Sequence, residues 1–253
     1  MRAHYLCLIR IDFLTAPHYP TTLHRLGERI GQRNLGDLVC EFLFYQAHPP
    51  ETPLPVIASI RWMITGVARL SVFHSARAVF CAPSNPSGIG GMYSETIRSA
   101  PRWKSGGATG PRRDCIFIDS DSDEPGMKGL EIARVFLFFS FEVDKRVYPC
   151  ALVRNFQKTY AGPDPDNGMW VVQPEHATDG SRSMSVVHVD AIVRAAHLIP
   201  VFGGPSTLPP QLKFSLALDS FRAFYVNKSL TTMHSKPLSR HNYIRIISHL
   251  NFT

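Results

Sequence analysis

Between Ile97 and Asp114 the chain carries Arg98, Arg102, Lys104, Arg112 and Arg113 with no acidic residue among them. Trp103 stands in their midst, and Gly106, Gly107 and Gly110 loosen the backbone around it. Clustered guanidinium and ammonium groups neutralise phosphates, and an aromatic ring beside them can stack on an unpaired base. These residue types therefore point to contact with a polyanionic backbone by a flexible arm. The counter-reading is a solvated loop, because Asp114, Asp119, Asp121, Asp123 and Glu124 follow at once and cancel the five positive charges.

A second chemistry begins where the basic run ends. Cys115-Ile116-Phe117-Ile118 followed by Asp119-Ser-Asp-Ser-Asp-Glu124 is a short apolar strand with an acidic, phosphorylatable tail. It resembles a SUMO-interacting motif, in which a peptide adds a strand to the edge of SUMO's sheet and the acids meet a basic rim. Ile116 and Ile118 suit the protein's own core equally, so an internal strand is the favoured reading. Catalytic signatures do not emerge. There is no GxSxG, HExxH or CxxC. His188 and His197 flank a turn at Asp190 without a third ligand, and only Asp119 has the strand-end setting that a phosphodiester-cleaving carboxylate set needs. Gly88-Ile-Gly90-Gly91 lacks both the sixth glycine of a dinucleotide fingerprint, which would fall at Tyr93, and a following GK[ST]. Neither enzyme activity nor a metal or cofactor is expected.

These segments need elements to hold them. The strongest patterning lies in residues 130–205, where Val135, Leu137, Phe139, Phe141 and Val143 alternate onto one face and Arg134, Ser140 and Glu142 onto the other. Asp144-Lys145-Arg146 is a polar turn, and Val147 to Phe156 returns as the second arm of a hairpin, with Pro149 marking an edge or bulge. Met169 to Gln173 and Met184 to Val189 read as strands joined by a turn at Asp179-Gly180, and Ala195 to Phe202 as a fifth strand. Asp190 to Leu198 reads as either a helix or a helical turn leading into that strand. The expected class is α+β: a small antiparallel β-barrel-like module with flanking helices and irregular N- and C-terminal ends.

Around this module, residues 1–33 show no clear period and read as irregular or disordered. Residues 34–129 read as helical and loop-rich with short strands. There, Asn34 is placed to cap a helix over Leu35 to Gln46, Leu70 to Phe73 and Ala76 to Phe80 read as strands, Ala82 to Gly91 as a loop, and Tyr93 to Ser99 as a short helix. Residues 206–228 include a packing helix from Leu218 to Lys228 capped at Asp219, and residues 229–253 form a basic tail. The apolar run 55–73 contains Arg61 and Arg69, and a charge near a bilayer centre costs about 3 kcal/mol, so an intracellular protein without a membrane span is expected. The net charge of +7 is uneven: residues 1–129 carry 14 Lys/Arg against 11 Asp/Glu, residues 130–205 carry 7 against 8, and residues 206–253 carry 6 against 1. Phosphate contact should therefore come from the flanks and not from the barrel. The five cysteines, at positions 7, 40, 81, 115 and 150, lack paired spacing and read as reduced and mostly buried.

Several ordered blocks carry a family likeness: Phe73 to Met92, Asp123 to Leu130, Val135 to Phe141, Tyr148 to Val153, Gly168 to Val172 and Leu218 to Lys228. Together they resemble the C-terminal part of Plavaka-type transposases, of the Kyakuja-Dileera-Zisupton group of DNA transposons found in mushroom-forming fungi. The resemblance runs from about Asn34 to Lys228. It implies a nuclear, DNA-associated protein whose ribonuclease-H-like catalytic domain lies upstream of the matched region, so no catalytic residue is carried over and the chain reads as a truncated remnant. In outline the barrel, with Tyr148, Phe156 and Trp170 as prominent aromatics, also resembles BAH or Tudor-type modules that bind chromatin peptides. A protein-interaction module with a chromatin or SUMO-like partner is thus the alternative function.

Overall fold

The computed structural model describes residues 8–11, 19, 22–81, 92–105, 107–121, 123–202 and 212–227. The glycine-rich stretch 82–91, residues 206–211 and the basic tail 229–253 lie outside the described residues. In chain order the elements are β1 (Leu8–Ile11), α1 (Leu23–Ile30), α2 (Leu35–Ala47), α3 (Ile57–Ile60), β2 (Ala68–Phe73), β3 (Ser75–Cys81), β4 (Met92–Ser105), β5 (Ala108–Arg113) and β6 (Cys115–Asp119). They continue with β7 (Leu130–Val143), β8 (Arg146–Lys158), β9 (Trp170–Pro174), β10 (Met184–His188), β11 (Ile192–Ala196), β12 (Leu198–Pro200), α4 (Ala217–Ser220) and β13 (Phe224–Val226). The class is α+β with a barrel-like antiparallel module, as the patterning predicts.

The β7–β8 hairpin is the spine. Asp144 and Lys145 both take positive φ, 50° and 64°, which is the twist a two-residue hairpin turn requires. Each arm is longer than any one neighbour. Along its outer edge β7 pairs first with β6 and then with β2, while β8 pairs with β10 and then with β9. The larger sheet therefore has the order β11-β6-β7-β8-β9-β13-β12, with β10 added on β8 and β2 on β7. A smaller sheet, β1-β3-β4-β5, packs beside it. Strand pairing thus crosses the expected boundary at residues 129 and 130, and the two segments share one sheet.

A bulge between Val135 and Leu137 leaves Phe136 without a cross-strand partner. It also switches the faces of the strand. Val135 packs with Ala76, Ile97, Ile116 and Phe138 between the sheets, whereas Leu137, Phe139 and Phe141 pack beneath the helices. Strict alternation therefore misassigns Val135, and the supposed polar face is also covered, since Arg134 and Phe138 are both buried.

Helices α1 and α2 close the face carrying Phe139. Leu23, Leu26, Leu35, Leu38, Val39, Phe42 and Leu43 cover Phe139, Phe141, Cys150 and Leu152. The expectation of little order before residue 34 is corrected over residues 23–30. Thr22 Oγ1 accepts from the Arg25 amide at one end of α1, and Gly31, at φ 73°, closes the other. Asn34 precedes α2 but makes no side-chain cap, its Oδ1 accepting instead from Gln32 Nε2.

Two further expectations change, and others hold. Residues 93–99 are strand, not helix, because β4 pairs with β3 from Met92 to Arg98 and buries Ile97. The segment 218–228 is not one helix: α4 ends at Ser220, and Phe224 and Val226 are drawn into the core as β13 between β9 and β12. The expected turn at Asp179-Gly180 does connect β9 and β10, with Gly180 at φ 80° and the Ala177 amide donating to the Ser181 carbonyl; both strands add to β8 and are bridged to each other between His176 and Arg182. After a 3₁₀ turn over Val189–Ala191 the chain enters β11, which selects the helical turn leading into a strand. The apolar run 55–73 divides into α3, a 3₁₀ turn and β2, and among the described residues no helix is long and apolar enough to cross a membrane.

Candidate functional site

The basic run is a folded hairpin, not a flexible arm. β4 pairs with β5 from Ser99 to Ser105, with Gly107 at φ 82° in the connection and a register shift at Pro101-Arg102, where proline removes an amide donor. Trp103 lies between two guanidiniums, Arg98 at 5.1 Å and Arg112 at 4.9 Å from the ring centroid. Asp114 ties this packet together, accepting from the Arg98 amide at 2.9 Å and from Arg112 Nε at 3.1 Å. The hairpin therefore sorts its own candidates. Arg98, Trp103 and Arg112 are engaged with one another, Arg102 and Lys104 are exposed, and Arg113 turns inward.

Inward of the hairpin is a groove of about 700 Å³. Tyr19, Arg29 and Ile30 form one wall, Ser99, Pro101 and Arg102 another, and His74, Arg113, Phe136 and Leu137 the remainder. Among the described residues three arginines line it and no carboxylate does. Tyr19 Oη and His74 Nε2 are hydrogen-bonded at 2.9 Å, and Arg29 lies 4.7 Å over the Tyr19 ring. Burial lowers the His74 pKa and so favours the neutral ring; burial also raises the Tyr19 phenol, against the opposing pull of Arg29.

Behind the groove the bulged Phe136 collects charge. Arg113 lies 3.5 Å and Arg154 4.7 Å over its ring. Arg134, whose side chain is 6% exposed, donates from Nη1 to Asp219 Oδ2 at 2.9 Å, from Nη2 to the Ser215 carbonyl at 3.3 Å and from Nε to the Arg113 carbonyl at 3.4 Å. Arg154 reaches the same Asp219 at 3.7 Å. Two guanidiniums thus reach one carboxylate while the third, Arg113, lies over the shared ring, and Arg113 Nε and Arg154 Nε are buried without a hydrogen-bond partner. Burial, reinforced by repulsion from Arg134 and Arg154, pulls the Arg113 pKa down to about 10, so it stays cationic at neutral pH. A second cavity, between Arg134, Arg154, Arg182 and Asp219, holds about 10 Å³, room for one water.

The charge cluster is invisible locally in the sequence: Arg134 and Asp219 are 85 positions apart. Its one signal is a lone arginine inside the most apolar strand of the chain, which needs a buried partner. Tyr19, Arg29 and His74 carry no such mark. Arg29 sits on α1, and the Thr22 and Gly31 pair that brackets that helix was the signal for it.

The interaction candidates are held elsewhere. Ile116, Phe117 and Ile118 are 0%, 1% and 5% exposed, and β6 is paired on both edges, with β7 and with β11, so it has no free edge to offer another sheet. Tyr148 packs on Phe42 and Phe141, Phe156 on Phe224, and Trp170 lies under Lys158 Nζ at 5.4 Å. The three rings do not converge on one cation as an aromatic cage must. Among the described residues no three His, Cys, Asp or Glu side chains gather as a metal site would require, and His188 Nδ1 accepts instead from the Asp190 amide at 3.3 Å. No family model, curated protein or solved structure matches the chain.

Proposed function

We propose that this chain is a non-catalytic, DNA-associated part of a transposon-derived protein of the nucleus, and that it contacts the phosphate backbone at the β4–β5 hairpin and the groove behind it. The observation that carries the DNA contact is a groove of about 700 Å³ lined by Arg29, Arg102 and Arg113 and, among the described residues, by no acid. Phosphate oxygens supply the charge that such a lining lacks, and the exposed Arg102 and Lys104 extend the positive surface along the hairpin. Because Trp103 is already flanked by two arginines, the contact is electrostatic and tolerant of base sequence. The transposon origin rests on the ordered blocks from Phe73 to Lys228.

The test is DNA binding measured across a salt series. Wild-type protein should bind duplex DNA weakly, with a log-log salt slope that includes about 0.9 for each phosphate neutralised. Replacing Arg29, Arg102 and Lys104 together by alanine should lower that slope by about 2–3 units without changing the melting temperature by more than a few degrees. Binding that survives high salt and ignores the triple substitution, yet is lost with Trp170→Ala, would make the protein-interaction reading the correct one.

A further inference from the structure

We infer that the inner end of the groove, at Arg113, is a site for a phosphate monoester, the terminal phosphate of a nucleoside 5′-phosphate. This deepens the groove reading above and rests on it. Three observations converge on Arg113. It is the one member of the Phe136 guanidinium cluster that also lines the large groove. Its Nε is buried without a hydrogen-bond partner, and among the described residues it has no ion pair. Its Cζ lies 3.5 Å from the Phe136 ring centroid, so the ring covers the guanidinium on one side and leaves its terminal N–H groups for an acceptor in the groove.

Charge then selects the kind of anion. Arg113, Arg134, Arg154 and Arg182 supply four positive charges and Asp219 one negative, an excess of three that a monoanion leaves largely unmet. A phosphodiester carries a single charge, whereas a monoester carries about 1.5 to 2 at neutral pH, its second ionisation lying near 6. A dianion is therefore the better complement, and a guanidinium fork matches its oxygens two at a time. Size adds the rest. About 700 Å³ is within the range of small-ligand pockets and exceeds what phosphate alone needs, so the attached nucleoside has room beside Tyr19 and Phe136. The monoester belongs either to a free mononucleotide or to the 5′ end of a strand.

Fluorescence competition on the full chain separates these sources. The probes are one thymidine oligomer in three forms, 5′-phosphorylated, 5′-hydroxyl and circularised, with thymidine 5′-monophosphate and thymidine as competitors. The phosphorylated linear strand is expected to bind about tenfold more tightly than the other two forms. Arg113→Gln should abolish that preference, and Arg113→Lys, which keeps the charge and loses the fork, should restore only part of it. Thermal melting of both variants shows that the fold persists. Competition by the monophosphate and not by thymidine supports the site; if no strand binds while the monophosphate does, the inference stands with a free nucleotide as ligand and the DNA reading falls. Equal binding of all three strands with no competition by the monophosphate overturns the inference and leaves the groove reading intact. No binding by any probe overturns both.

Discussion

Glu95 joins the two sheets through one carboxylate. It stands on β4, and its Oε1 accepts from the backbone amide of Ala195 on β11. Burial holds the carboxyl above its ordinary value of 4.5, against the weaker opposing pull of that hydrogen bond and of Arg194 and His197. The folded chain therefore binds this proton more readily than the unfolded one. Stability from the group is complete below pH 4.5 and is lost as pH rises through the elevated folded value. Glu95→Gln keeps a carbonyl for Ala195 and removes the ionisation. The urea midpoint of the variant should thus pull ahead of wild type as pH rises above 4.5; a difference that stays constant with pH would show that folding leaves the Glu95 carboxyl at its ordinary value. At this scale the site was legible only where it is local. The run from Arg98 to Arg113 stands out because its charges are neighbours in sequence, whereas Arg134 and Arg154 on the β7–β8 hairpin meet Asp219 on α4 only once the chain has folded.

Among the elements, the β7–β8 hairpin was readable because alternation and turn chemistry agree there. Phe139 and Phe141 repeat at the strand period, and Asp144-Lys145 accepts the left-handed conformation that the turn imposes. Phe139 is fully buried beneath α2, so Phe139→Ala should cost about 3–5 kcal/mol in urea denaturation. A loss below about 1 kcal/mol, the size seen at exposed positions, would contradict the packing. The misread elements fail for identifiable reasons. The Phe136 bulge breaks the period without any glycine to mark it. Helix α1 has only eight residues, one of them Gly27, so its apolar face is too short to register. In the segment 218–228 the spacing of Phe221, Phe224 and Tyr225 fits a helix, yet edge pairing with β9 and β12 buries Phe224 and Val226 as strand, and tertiary context overrides local spacing.

For the whole molecule, the expected barrel of residues 130–205 is real as a sheet but incomplete as a folding unit. β7 takes β2 and β6 as partners from before residue 130, and the apolar face carrying Phe139 is roofed by α1 and α2. A fragment of residues 130–228 should therefore bind a hydrophobic dye and melt without a cooperative transition, whereas a fragment starting before Leu23 should melt cooperatively. Cooperative melting of the shorter fragment would show that the helices are dispensable. The order β11-β6-β7 has one more consequence, which concerns synthesis on the ribosome. β6 emerges 77 residues before β11, counted from Cys115 to Ile192, an interval of about 4–15 s at roughly 5–20 residues per second. Throughout that interval the strand Cys115–Asp119 has an unpaired edge, and the nascent chain holds open the apolar ribbon that the finished protein seals, a natural foothold for a chaperone.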